Sequence, residues 1–157
     1  MDKDRMAEGR RLAAEKRRLE AENRRAAEAK ELEEVERLRL DEETIQDFEK
    51  FRVQLKTFYD EISILSRKSP DSPMNKFKLK FLNDTLKKVT AILGPAHRPF
   101  PDFEAFDEDE LPTTSDVVIM LSHYLESMGP FKDAHTYSDA VSLKRYWHTK
   151  GNGDLEA

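Results

Sequence analysis

Residues 48–65, FEKFRVQLKTFYDEISIL, decide the fold class. Their apolar side chains follow one another at steps of three and four, which keeps them on one face of a helix for about five turns. These side chains are Phe48, Phe51, Leu55, Phe58, Ile62 and Leu65. A helix with one sustained apolar face buries that face against other helices, so we predict an all-α fold organised as a small helical bundle.

A highly charged segment precedes this helix. Residues 10–30 form three consecutive heptads, RRLAAEK, RRLEAEN and RRAAEAK, and 23 of the first 40 residues are charged. Strong helix formers without a broad apolar face predict a long, exposed helix over residues 1–40, placed before the bundle. No Pro or Gly lies between the two segments, so either one continuous helix crosses the junction or Asp41 or Thr44 caps a new helix.

The heptads contain a narrow apolar seam. Its candidate oligomerisation residues, taken as positions d and a of a coiled coil, are Leu12, Leu19, Asn23 and Ala26. An Asn at position a fixes the register of a parallel dimer, but Lys16 and Lys30 occupy the neighbouring a positions and weaken the pairing. Two interpretations therefore stay open: a lone, salt-bridged helix and a coiled coil that forms a weak homodimer.

The same helix carries a stripe of arginines. Arg11, Arg18 and Arg25 repeat every seven residues and drift by only about 20° per heptad on a straight helix. Such a stripe could contact the phosphates of a nucleic acid. Glutamates lie within one turn of each arginine and neutralise most of the field, so nucleic acid is the second choice of partner.

A third helix is predicted over residues 73–93. Ser72 and Pro73 suit the N-cap and first position of a helix, and Gly94 with Pro95 suits its end. The segment KFKLKF at residues 76–81 alternates like a strand, but the later spacing of apolar residues favours a helix. Its predicted apolar face comprises Phe77, Phe81 or Leu82, Leu86, Val89 and Leu93.

The best-buried helix is predicted over residues 115–128, where polar positions are few and Gly129-Pro130 ends the segment. Thr113 with Asp116 forms a loose capping box at its start. A last, weaker helix is predicted to begin near Ser138.

These helices complete a bundle domain over residues 41–148. The polar tail at residues 149–157 is predicted to be disordered, because it has few apolar side chains to hold it on the domain.

An acidic, phenylalanine-rich loop is predicted over residues 95–112. Its candidate partner-binding residues are Phe100, Phe103, Phe106, Asp107, Glu108, Asp109 and Glu110. A loop of this length is uncommon in a compact domain unless its own side chains hold it down or it binds something. The phenylalanines either fill a groove of their own domain or act as anchors inside an acidic rim that attracts a basic partner.

Residue types used for catalysis lack a useful arrangement. Cysteine is absent, the four histidines have no ligand spacing, and the five glycines form no phosphate-binding loop. We therefore predict no catalytic residue, no metal site and no cofactor, and thus a protein that is not an enzyme.

Charge and hydropathy narrow the class of partner. The net charge of −5 provides no general attraction to nucleic acid or to an anionic membrane. The N-terminus is charged where a signal peptide would be apolar, and the longest apolar run, residues 117–121, is too short to span a bilayer. We predict a soluble, cytoplasmic protein without a membrane partner.

These features together favour a non-catalytic adaptor or accessory subunit of a larger complex. The bundle would dock on a protein partner, and the charged helix would act as a spacer or a weak oligomerisation element. The alternative is a nucleic-acid-associated accessory protein that uses the arginine stripe.

Overall fold

The structure is a computed structural model and describes residues 2–151 and 153–157. Its elements, in chain order, are α1 (Asp2–Leu38), α2 (Glu42–Lys68), α3 (Lys76–His97), α4 (Thr114–Ala134), β1 (Thr136–Ser138) and β2 (Arg145–Trp147). The predicted all-α fold is confirmed, with one small antiparallel sheet made by β1 and β2. Within the described residues, no helix is long and apolar enough to cross a membrane.

The chain divides into two compact units, one ending at Arg39 and the other spanning Leu40–Ala157. In the first unit, every described side chain from Asp4 to Glu34 is exposed, as expected for a highly charged helix. Ion pairs one turn apart, such as the 2.7 Å contact of Arg37 with Glu33, support α1 locally.

A new helix begins after Asp41, so the alternatives of one continuous helix and of a start at Thr44 are wrong. Asp41 has extended backbone angles and occupies the N-cap position of α2. The backbone of Leu40 is paired elsewhere: its N–H donates to the carbonyl of His148 at 2.8 Å, and its carbonyl accepts from the N–H of Lys150 at 3.0 Å. These bonds use the polar groups that a continuous helix would need.

The core of the second unit lies where α2, α3 and α4 pack together. On the predicted face of α2, Phe48, Phe51, Leu55 and Ile62 are buried, Phe58 is half-buried and Leu65 at the end is exposed. Val117, Leu121 and Tyr124 of α4 are fully buried, but Ile119 is 59% exposed, and α3 contributes as many buried hydrophobic residues as α4. The prediction that α4 is the best-buried helix is therefore not confirmed.

The start of α3 differs from the predicted one, whereas the predicted break at Gly94 is confirmed. The segment KFKLKF is helical, but the N-cap is Asn75 instead of Ser72, since the Asn75 side chain accepts the N–H groups of Phe77 and Lys78. At Gly94 a left-handed φ of 65° breaks the helix, and one further turn then runs to His97.

Helix α4 begins as predicted and ends later. Thr113 caps it, accepting the N–H of Asp116 at 3.2 Å and donating to the Asp116 carboxylate at 2.8 Å. The predicted stop before Pro130 is wrong, since the helix continues to Ala134. Phe131, the residue after this proline, is buried and stacks on Phe48 with ring centroids 5.1 Å apart. This core contact offsets the single hydrogen bond that proline removes from the helix.

The predicted last helix is a β-hairpin. The Asp139 carboxylate accepts the N–H groups of Val141 and Ser142, which makes a turn, and Leu143 takes a positive φ of 57°. Turn chemistry therefore overrides the weak helical spacing in this segment.

The tail, predicted to be disordered, pairs with the hairpin at the positions described. Trp147 donates its N–H to the carbonyl of Leu155, and Ala157 donates to the carbonyl of Arg145, both at 2.8 Å. Leu155 and Ala157 also pack against the core. The prediction of disorder was wrong because these two apolar side chains are enough to hold the otherwise polar tail on the domain.

Candidate interaction surfaces

The acidic loop between α3 and α4 rests on its own domain, with all three phenylalanines half-buried and two of them packed against the core. Phe103 and Phe106 are half-buried against the core, with ring centroids 5.0 Å apart in an edge-to-face arrangement. The Phe103 ring also lies 6.2 Å from the ring of Tyr124 in α4. Phe100 lies apart from them, with its ring 5.2 Å from that of His123. These contacts favour a loop held on the bundle over one that presents three free anchors.

Asn83 in α3 fixes the backbone of this loop. Its Nδ2 donates to the carbonyl of Phe106, and its Oδ1 accepts the N–H of Phe106, each at 2.9 Å. The Asn83 side chain is buried, with 1% of the residue exposed. No local sequence pattern indicates such a pairing between distant residues, and sequence analysis missed it.

The acidic end of the loop stays at the surface. The Asp107 carboxylate accepts the N–H groups of Asp109 at 2.7 Å and Glu110 at 3.2 Å, and these bonds lower the pKa of Asp107. Asp109 also forms an ion pair with Lys76 of α3 at 3.3 Å. Asp107, Asp109 and Glu110 are exposed and Glu108 is half-buried, so the predicted acidic rim exists as a turn.

Both sets of residues predicted on α1 lie on the exposed surface of the first unit. The oligomerisation residues are Leu12, Leu19, Asn23 and Ala26, and the phosphate-contact residues are Arg11, Arg18 and Arg25. Lys16, placed in the seam, forms a surface ion pair with Glu20 at 4.0 Å. Pairing of the seam and phosphate contact both stay predictions.

Sequence analysis did not identify an open groove between α2 and α3. The groove has a volume of about 560 Å³. Its apolar lining comes from Phe51, Val53 and Phe58 of α2 and from Phe81 of α3. It is therefore a concave, partly apolar surface built on two rigid helices, which is a common form of binding site.

Two phenylalanines on α3 are exposed, and one of them, Phe81, lines this groove. Phe77 is 71% exposed and Phe81 is 51% exposed, and their rings meet edge to face with centroids 4.8 Å apart. We predicted Phe77, and Phe81 or Leu82, on the buried face of this helix. The structure confirms Leu82 in the core, and it places Leu79 there in the place predicted for Phe77. The alternation in KFKLKF was the available signal, since on a helix it puts Phe77 and Phe81 one turn apart.

Two lysines converge at the other end of the groove. The Nζ atoms of Lys50 and Lys88 lie 5.5 Å and 5.4 Å from the centroid of the Phe51 ring. Within the described residues, neither ammonium group belongs to an ion pair. Glu61 and Asp84 also line the groove, so it carries charges of both signs.

Two of the histidines come together at the ends of α3 and α4. The rings of His97 and His135 lie 6.4 Å apart, and both contact Phe131, at 5.5 Å and 4.4 Å. In the part of the chain that the structure describes, no group of three or more His, Cys, Asp or Glu side chains is arranged to hold a metal ion.

No protein-family model, no curated protein and no solved structure matches this chain. Its own surfaces, above all the groove with Phe77 and Phe81, are thus the basis for a functional proposal.

Proposed function

We propose that this protein is a non-catalytic interaction module, an adaptor or accessory subunit that binds another protein through its helical bundle. The observation that carries this proposal is the exposure of Phe77 and Phe81 beside an open groove. Aromatic side chains are enriched at protein interfaces because they bury a large apolar area with little loss of side-chain freedom. Two of them left in water on adjacent turns mark a surface suited to a partner.

The first unit has an accessory part in this proposal. Its 37-residue helix spans roughly 55 Å at 1.5 Å per residue, long enough to set a spacing between bound proteins. The exposed heptads support the spacer role directly and a weak homodimer secondarily, since their seam contains only two leucines.

Co-purification of the tagged full chain from the cells that produce it, followed by mass spectrometry, tests the proposal. We expect a small set of co-purified proteins. When each of these proteins is tagged in turn, it should in turn recover this protein. A tagged, unrelated helical protein serves as the control for non-specific recovery. Recovery of no protein beyond this control would overturn the proposal.

The alternative function, nucleic-acid association through the arginine stripe, rests on the exposure of Arg11, Arg18 and Arg25. Phosphate contacts would give an affinity for duplex DNA or RNA that falls steeply as salt increases. An adaptor that binds protein shows no such affinity at about 150 mM salt. Steep salt dependence that disappears when all three arginines are replaced by glutamine would establish the alternative instead.

A further inference from the structure

We propose that the groove between α2 and α3 binds an acidic, amphipathic helix of a partner protein, whose apolar side chains cover Phe77 and Phe81 and whose carboxylates meet Lys50 and Lys88. The inference rests on the proposed function and specifies the chemistry of the partner. It follows from the two ends of the groove, of which one is aromatic and the other cationic, and from the distance between them.

The aromatic end supplies the apolar contact. Phe81 lines the groove together with Phe58 and Val53, and Phe77 lies one turn before Phe81 on α3. Val53 is also a large apolar side chain that is mostly exposed. A partner side chain such as Leu or Phe that enters here removes apolar surface of both molecules from water.

The cationic end supplies the charge. Lys50 comes from α2 and Lys88 from α3, and both ammonium groups face the buried ring of Phe51. Neither ammonium group has a carboxylate partner among the described residues, so carboxylates of a bound helix can pair with them without displacing an existing ion pair. The neighbouring apolar surface strengthens such a pairing, because water is excluded when the groove is filled.

The spacing between the ends defines the pattern in the partner. Phe81 and Lys88 are seven residues apart on α3, which is two turns or roughly 10 Å along the helix. A partner helix lying along the groove therefore needs an apolar residue and an acidic residue about seven positions apart. A helical occupant fits because the groove is walled by two helices and exposes no strand edge to which an extended peptide could add.

The charge at one end of the groove favours an acidic partner there, because Lys50 and Lys88 line that end. Of the five lysines of α3, only Lys88 lines the groove, and Asp84 is the only acidic residue of this helix. Of the five, only Lys76 is engaged in an ion pair within the described part of the chain. Asp84 and Glu61 line the groove itself and would meet the phosphates of a nucleic acid directly, whereas a helix with a few spaced carboxylates avoids them. A protein segment therefore fits better than a nucleic acid.

Selection from a phage-displayed library of random 16-residue peptides on the full chain tests this inference. We expect enriched peptides with a net negative charge and with an apolar and an acidic residue about seven positions apart. The strongest peptide, made synthetically, should bind at least about tenfold more weakly to the Phe77→Ala, Phe81→Ala variant and to the Lys50→Glu, Lys88→Glu variant. Replacing its glutamates by lysines should restore binding to the second variant.

Ile119→Ala is the matched control. Ile119 is 59% exposed on α4 and does not line the groove, so its truncation should leave peptide affinity unchanged. Circular dichroism and urea unfolding of each variant verify that the fold is retained. Since the two groove variants act at opposite ends, misfolding of one leaves the other as a test.

Several outcomes overturn the inference. They are the absence of any enriched peptide, enrichment without an acidic bias, and equal binding to the groove variants. Displacement of the peptide by a single-stranded oligonucleotide would identify a nucleic-acid surface, and a dimer that is lost in the groove variants would identify a second copy of this chain as the occupant. Recovery of the same partner proteins by the groove variants in co-purification would overturn the inference while leaving the proposed function intact.

Discussion

The carboxamide of Asn83 pairs with both backbone polar groups of Phe106, 23 residues further along the chain, through two hydrogen bonds of 2.9 Å. One buried side chain thereby satisfies an N–H and a carbonyl that the loop would otherwise leave unpaired. The same pairing holds Phe106 beside Phe103, whose ring contacts Tyr124 of α4. Asn83 thus links the acidic loop to two helices of the bundle.

Asn83→Leu should lower the free energy of unfolding by about 2–4 kcal/mol, because it leaves both polar groups of Phe106 without a partner in a half-buried site. Urea unfolding of the full chain measures this change. Gln46→Leu is the matched control, since Gln46 is exposed and its side chain bonds to the exposed Glu42 one turn away. Its effect should stay within about 0.5 kcal/mol. Equal effects of the two substitutions would show that the Asn83 pairing does not hold the loop.

The helical elements of this fold were predictable where the apolar spacing is long and regular. Phe48, Phe51, Leu55 and Ile62 of α2 are buried as their spacing indicates. The face of α3 was predicted wrongly at its start, where Phe77 was assigned to the buried side and Phe81 was left as an alternative to Leu82. The residues that the structure buries are spaced by three and four, and this spacing selects Leu82 over Phe81 and leaves Phe77 outside. They are Leu79, Leu82, Leu86, Val89 and Leu93.

The segment after residue 128 was predicted wrongly for two different reasons. The hairpin after α4 was predicted as a helix, although Asp139 and Ser142 are the residue types that favour turns. Helix α4 continues past Pro130 because Phe131 meets Phe48, which lies in another helix. The hairpin therefore follows local turn chemistry, whereas α4 continues because tertiary packing overrides a local stop signal.

Phe131→Ala should lower the free energy of unfolding by about 3–5 kcal/mol, because it removes a ring that is 2% exposed and stacked on Phe48. Phe77→Ala makes the same chemical change at an exposed position and should cost under about 1 kcal/mol. Urea unfolding of both variants gives the comparison. A large loss for Phe77→Ala would mean that this side chain is buried in solution and is not part of a free surface beside the groove.

The turn at Asp139 should respond to acid. Its carboxylate accepts the N–H of Val141 at 2.6 Å and that of Ser142 at 3.2 Å, and these bonds hold the pKa of Asp139 below that of an ordinary aspartate. A depressed pKa in the folded state means that the stabilisation is present above the ordinary aspartate pKa and is lost as pH falls through the lower, folded-state pKa. The amide NMR signals of Val141 and Ser142 should therefore shift with a midpoint below the ordinary range.

Asp139→Asn provides the control for this titration. The amide oxygen of Asn accepts the same two backbone bonds but does not titrate, so the variant should keep the hairpin and lose the acid transition. If the amide signals of Val141 and Ser142 titrate identically in the variant, another group causes the transition.

Helix α1 should not form a stable dimer by itself, although its heptads resemble those of a coiled coil. Burying Leu12 and Leu19 contributes at best roughly 3–6 kcal/mol per chain. Lys16, Asn23 and Lys30 occupy the facing seam positions, and burying the two ammonium groups removes much of this gain. Replacing both leucines by lysine in the full chain should therefore leave its sedimentation coefficient unchanged.

The opposite substitution shows whether polar seam residues are what prevents pairing. Replacing Lys16, Asn23 and Lys30 by leucine completes the apolar seam over residues 10–30 and should create an oligomer whose population rises with protein concentration. Analytical ultracentrifugation of the two variants beside the unmodified chain gives a direct comparison. If the unmodified chain is a dimer that the Leu12→Lys, Leu19→Lys variant loses, the seam pairs despite its lysines, and α1 is an oligomerisation element in its own right.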